Sequence, residues 1–189
     1  MCIILSNMAE SVELVRWLET EANTRFKEAL NLSREKSKSD PETEPYQSKY
    51  AAREILLTIK NKFNSFDVDE SPELRLKSVQ SVIDYELGLN YIETDEIHTG
   101  ERLIMNIYEQ FKEHQLKPEF CTVIVKCLQQ LGMLWNERGD FEKSLSYFNK
   151  AEKLYDEYKR VCEVVPFDSN MLYAHDEANE VDNNSNFES

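Results

Sequence analysis

Glycine and proline are scarce in this chain, with four and five in 189 residues. Sandwiches, barrels and doubly wound sheets depend on many tight turns, so the composition points instead to long helices with short connections. No apolar run approaches the ~20 residues needed to cross a bilayer. The opening Met1-Cys2-Ile3-Ile4-Leu5 lacks a basic start and is too short for the core of a secretory signal. Cysteine is limited to Cys2, Cys121, Cys127 and Cys162, with no CxxC pair. These read as reduced thiols of a soluble, intracellular protein, Cys121 and Cys127 packing as small apolar groups in a helix. Basic charge is the last deficit: 22 Lys and Arg against 36 Asp and Glu give −14. Such a chain repels phosphate backbones, which argues against nucleic acid, whereas a basic protein partner suits the sign.

Catalytic patterns are missing as well. His98, His114 and His175 stand apart, without the HxxxH or HExxH spacing that holds a metal. There is no GxxxxGK[ST], GxGxxG or GxSxG, and helix-face acids such as Glu10, Glu13, Glu152 and Glu157 are the ordinary solvated kind. The reading is therefore of no enzyme, no metal and no cofactor.

What the sequence does contain is helical periodicity from end to end. A first helix over roughly 9–37 carries Val12, Val15, Ala22, Phe26, Ala29 and Leu30, and stops before Ser39-Asp40-Pro41. A second, about 46–64, carries Tyr46, Tyr50, Leu56, Ile59 and Phe63, with Lys49 and Arg53 expected to pair with Asp40, Glu42 and Glu44. After a loop from Asn64 to Ser71, Ser71-Pro72-Glu73 opens a third helix, about 73–92. Thr94-Asp95-Glu96 starts a fourth, ending near His114, and Pro118 opens a fifth with Phe120, Val123, Ile124, Cys127, Leu131, Leu134 and Trp135 on its buried side. Gly139-Asp140 makes the next turn. The sixth helix places Phe141, Leu145, Phe148, Ala151, Tyr155 and Tyr158 on one face. From Asp168 onward six acids occur without Lys or Arg, and the last dozen residues have no apolar stripe; 168–189 reads as an acidic disordered tail. Setting those six acids aside leaves −8 on the remainder.

A repeat is embedded in this pattern. Leu131-Gly132 with Trp135, then Ser144, Phe148 and Ala151, match the tetratricopeptide arrangement in which small residues let two helices approach and large ones fill the space around them. Leu87-Gly88 with Tyr91, then Gly100, Ile104 and Ile107, repeat it 44 residues earlier. That interval exceeds the standard repeat of about 34 residues. The expected fold is all-α, a tetratricopeptide-like solenoid over 9–165 built from pairs at about 9–64, 73–115 and 118–162. Three pairs reach the minimum that buries a continuous core. A peptide-carboxylate clamp, as in generic adaptors and co-chaperones, would draw on Asn90, Asn136 and Lys126, but it needs several aligned cations and the third helix offers only Arg75 and Lys77 at its start.

Besides Trp17 through Ser33, two runs are far more specific than a generic repeat: Glu44-Pro45-Tyr46-Gln47-Ser48-Lys49-Tyr50-Ala51-Ala52-Arg53 and Glu86-Leu87-Gly88-Leu89-Asn90-Tyr91-Ile92-Glu93-Thr94-Asp95-Glu96. With Leu131-Gly132-Met133-Leu134-Trp135-Asn136-Glu137-Arg138 and on to Tyr155, the chain resembles the KIF-binding protein (kinesin-binding protein) family over most of 17–168. Members of that family are several-fold longer, so the resemblance is to an amino-terminal portion, a truncated member. It lacks the acidic, Pro/Gly-rich insertion that some members carry between the second and third helices. The resemblance implies a cytoplasmic, cytoskeleton-associated scaffold that binds kinesin motor domains and blocks their attachment to microtubules, with no metal, membrane or nucleic-acid partner.

Overall fold

The structure, a computed structural model, describes residues 12–66 and 74–162. The helix start expected at Ser71-Pro72 and the tail from Asp168 lie outside the described residues. Among the described residues six helices follow one another: α1 over 12–34, α2 (Gln47–Ser65), α3 (Leu74–Glu93), α4 (Ile97–Phe111), α5 (Pro118–Glu137) and α6 (Phe141–Cys162). Single 3₁₀ turns stand at Lys36–Ser39 and Lys112–His114, and α1 contains a π-helical turn at Leu18–Ala22. No strand occurs among the described residues. Each helix packs on its successor, and α3 also reaches α5 across α4. The first helices of the second and third pairs therefore touch, a contact order suited to an all-α repeat solenoid.

Two apolar clusters result. Leu14, Trp17, Phe26, Leu56, Ile59 and Phe63 meet Ile83 and Leu87 of α3 between the first two pairs. Between the second and third pairs, Tyr85 joins Ile104, Ile107, Phe120, Ile124, Leu128 and Leu131, with the rings of Phe111 and Phe120 stacked at 4.5 Å. Helix α3 feeds both clusters, so its apolar residues surround it instead of forming one stripe, as befits the middle of a stack. At the amino-terminal edge the outcome differs from periodicity: Val12 and Val15 are exposed, and only Leu14 and Trp17 of that turn are buried.

The two tight turns also recur 44 residues apart. At α5–α6 the backbone N–H of Asp140 donates to Trp135 O at 3.0 Å and Gly139 has φ +79°, a left-handed helix stop. Asp140 Oδ1 then accepts the Lys143 N–H at 3.0 Å and so caps α6. At α3–α4 the N–H of Glu96 donates to Tyr91 O at 2.8 Å, and Asp95 takes the positive φ of 65°. Here the expected start at Thr94 is instead the end of the preceding helix, and α4 begins at Ile97.

Close approach is tightest within the second pair. A Cβ on Gly100 would run into the backbone carbonyl of Gly88 and lie 2.6 Å from Ile92 Cγ1. The nearest atoms to one on Gly132 would be those of the Phe148 ring, from 2.9 Å. A carbonyl held in a helix cannot step aside, whereas a ring at the edge of the fold can. Gly100→Ala is therefore expected to cost about 2–3 kcal/mol by overpacking. Gly132→Ala is expected to cost under about 1 kcal/mol, offset in part by better helix propensity. Urea unfolding ranks the two variants, and equal midpoints would contradict this packing.

Candidate partner-binding site

The described polar groups converge most closely around Arg53, where the first pair meets the second. Its Nε donates to Asn90 Oδ1 at 2.9 Å, one terminal nitrogen donates to Glu96 Oε1 at 2.6 Å, and the other donates to Thr94 Oγ1. The guanidinium also lies 4.0 Å from the Tyr91 ring centroid and 5.1 Å from that of Tyr50. Asn90, 1% exposed, passes its own amide hydrogen to Lys49 O at 2.8 Å, and the Thr94 hydroxyl donates to Asn90 O at 2.8 Å. Only a planar, forked cation satisfies an amide, a hydroxyl and a carboxylate while stacking on a ring.

Further polar pairs extend this hub along the antiparallel α2–α3 contact. Lys49 pairs with Glu93 at 3.1 Å, Lys60 with Asp84 at 2.6 Å, and Gln80 donates to Asn64 Oδ1 at 3.4 Å. The local pairing expected for Lys49 and Arg53 is thus corrected: both reach across to the second pair. Asp40 turns away from them, accepting the Ser48 backbone N–H at 2.9 Å and its hydroxyl at 2.5 Å to finish the start of α2. Tyr46 sits edge-on to Tyr50 and donates its hydroxyl to Asp95 Oδ2 at 2.7 Å, so the neighbouring carboxylate raises the phenol pKa. Tyr50, expected in the buried stripe, is instead exposed, on a helix position beside Arg53 whose guanidinium lies against its ring. The partners of the hub stand in the two runs singled out by resemblance, Glu44 to Arg53 and Glu86 to Glu96. That juxtaposition was the one signal of their contact.

The third pair holds a second cation–aromatic contact at the matching position. Trp135, 44 residues after Tyr91, has Lys143 Nζ at 3.2 Å and the Arg138 guanidinium at 4.7 Å from its ring. Trp135 is half-buried, not fully on the buried side. Arg138 in turn makes two bonds to the Glu101 carboxylate, at 2.8 and 2.6 Å, which hold the Glu101 pKa down and tie the α5–α6 turn to α4. Of the repeat positions, Gly88 faces Ile104, Gly100 faces Gly88, and Gly132 faces Phe148 within their pairs. Leu87 and Leu131 lie instead in the clusters between pairs, Tyr91 faces Arg53 of the preceding pair, and Ser144 and Ala151 are buried. The sixth helix splits from expectation. Ala151 and Leu154 are buried, while Phe141, Leu145 and Tyr155 are exposed and Phe148 is only half covered.

Among the described residues no three His, Cys, Asp or Glu cluster so as to hold a metal ion, and no helix is long and apolar enough to cross a membrane. Cys121 and Cys127 are buried, and burial drives the Cys127 thiol far up, so it stays protonated. Asn90 is committed to Arg53 and Lys49, which removes it from any carboxylate clamp. The arrangement is suited to presenting a rigid helical surface.

No family model matches the chain, and no solved structure matches it. Curated relatives do. The chain is 34% identical over 137 residues to the KIF-binding protein of Gallus gallus, covering 72% of this chain and 23% of that protein. Against the KIF-binding protein of Homo sapiens it is 29% identical over 175 residues, with 78% and 28% covered. Against that of Drosophila melanogaster it is 25% identical over 142 residues, with 71% and 24% covered. The chain thus spans about a quarter of the length of the curated relatives it matches, a partial coverage that fits an amino-terminal portion.

Two outcomes test the hub. Arg53→Met should cost about 2–4 kcal/mol in urea unfolding, because Asn90 and Thr94 lose their buried donor, whereas Glu96→Gln, at the more open end, should cost under about 1 kcal/mol. For Glu101 the folded pKa lies below the ordinary one. Its pairing with Arg138 therefore contributes in full above the ordinary glutamate pKa and is lost as pH falls through the folded value. Glu101→Gln should flatten that acid limb of the stability–pH curve, and an unchanged limb would show that the pair contributes nothing.

Proposed function

The chain belongs to the KIF-binding protein family, and from that membership we propose that it is a non-enzymatic scaffold that binds kinesin motor domains and blocks their attachment to microtubules. The observation that carries this reading is the similarity to KIF-binding proteins over 71–78% of the chain, from vertebrates to Drosophila melanogaster. Charge supports it. A net −14 suits a motor surface that must itself be basic to engage an acidic microtubule lattice. The mechanism is occlusion: a helical scaffold that covers the motor's track-facing surface needs no chemistry, only area and a complementary field. Cytoplasmic, cytoskeleton-associated action follows from that partner. A generic adaptor binding a peptide's carboxylate is the weaker reading, since Asn90 is spent inside the fold.

Titration of a kinesin motor domain with the whole chain, alongside microtubule co-sedimentation, tests the proposal. Binding is expected to be weaker than that of a full-length KIF-binding protein and to fade with salt. The Debye length shrinks from about 10 Å at 0.1 M to about 3 Å at 1 M, which removes steering. Undiminished binding at high salt would refute the electrostatic account. No binding at low salt by the folded chain would refute the proposal for this chain.

A further inference from the structure

Among the described residues every tyrosine but one lies within a helix; Tyr46 closes the irregular segment that leads into α2. Residues 41–45, just ahead of it, are exposed and belong to no helix. An acceptor side chain enters a modifying enzyme together with the chain around it, and inside a helix that requires local unfolding. Over 41–45 no helix has to open. The same tyrosine is also a tie across the fold. Its hydroxyl, at the surface, donates to Asp95 Oδ2 at 2.7 Å and so joins the start of α2 to the α3–α4 turn.

We propose that Tyr46 is a phosphorylation site for a protein tyrosine kinase that selects acidic substrates, and that its phosphate loosens the joint between the first and second helix pairs. Glu44 and Glu42, two and four residues before the acceptor, supply the charge pattern such a kinase reads. In the transfer the phenol oxygen bonds to the γ-phosphorus of a nucleoside triphosphate held by the kinase. The bond from that phosphorus to the bridging oxygen breaks, the nucleoside diphosphate leaves, and the phenolic proton passes to the kinase's base. The product has no hydrogen to give Asp95 and carries a charge of about −2 in its place. A hydrogen bond to a carboxylate thereby becomes a repulsion from it. The cations of the joint are already engaged, Lys49 by Glu93 at 3.1 Å and Arg53 by Glu96 at 2.6 Å. If the phosphate swings clear, the tie to Asp95 is lost; if it draws Lys49 over, the tie to Glu93 goes as well.

The test treats the whole chain, beside a free peptide of residues 38–49, with Mg-ATP and a tyrosine kinase of acidic preference. Trypsin then releases residues 39–49, in which Tyr46 is the sole tyrosine, for mass spectrometry. The folded chain should be modified chiefly in that fragment, and its thermal midpoint should fall by about 2–4 °C. Tyr46→Phe, which removes the bond and adds no charge, should lower the midpoint by less. Asp95→Asn keeps an acceptor for the hydroxyl and tolerates the positive φ, so in that variant the fall on phosphorylation should shrink. Modification of the peptide but not of the folded chain would overturn the site, as would failure of both. A phosphorylated chain with an unmoved midpoint, or with an equal fall in Asp95→Asn, would refute the loosening.

Discussion

A single guanidinium, that of Arg53, decides how the first helix pair is set against the second. It arrives from α2 and is met by an amide from α3, a hydroxyl and a carboxylate from the α3–α4 turn, and the faces of two tyrosines. A charge buried at a helix crossing costs several kcal/mol in desolvation and is tolerated only when its donors are filled. The consequence is directional. Apolar contacts between α2 and α3 would permit sliding by a turn, but the fork of Arg53 matches Asn90 and Thr94 in one register. The ion pairs of Lys49 and Lys60 with Glu93 and Asp84 line up only in that same register.

The second and third pairs are joined differently. There the apolar cluster holds Phe120, Ile124, Leu128 and Leu131, all fully buried, and the polar contribution is the Arg138–Glu101 clasp at the rim. The same position in the repeat is filled by different chemistry in each unit. Tyr91 becomes Trp135, Asp95 becomes Gly139 in the same left-handed turn, and Gly100 becomes Ser144. What is preserved is the space each position must occupy and the backbone it must permit. The tyrosine and the tryptophan both also present a ring to a cation.

A stack of helix pairs keeps its shape through the joints between repeats. The acidic excess is not spread evenly: residues 12–66 and 74–162 hold 24 acids against 22 bases, and the other 12 acids of the chain stand outside them.

Much of the architecture was determined by the sequence alone. Scarce glycine and proline, apolar spacing near 3.6 residues and two Leu-Gly pairs 44 residues apart define helices, their pairing and the Gly139-Asp140 turn, because each depends on local backbone preference or a short interval. The resemblance in Glu44 to Arg53 and Glu86 to Glu96 likewise marked the two segments of the hub. Only the tertiary structure decided that these segments meet. Charge pairing in sequence is dominated by neighbours, so Lys49 and Arg53 pointed to Asp40, Glu42 and Glu44, whereas folding brings residues some forty positions away to the same guanidinium. Exposure was decided there too. Periodicity reports which residues share a helix face but not whether another helix lies on it, so Phe148 and Tyr155 read alike with Ala151 until the neighbours of α6 were placed.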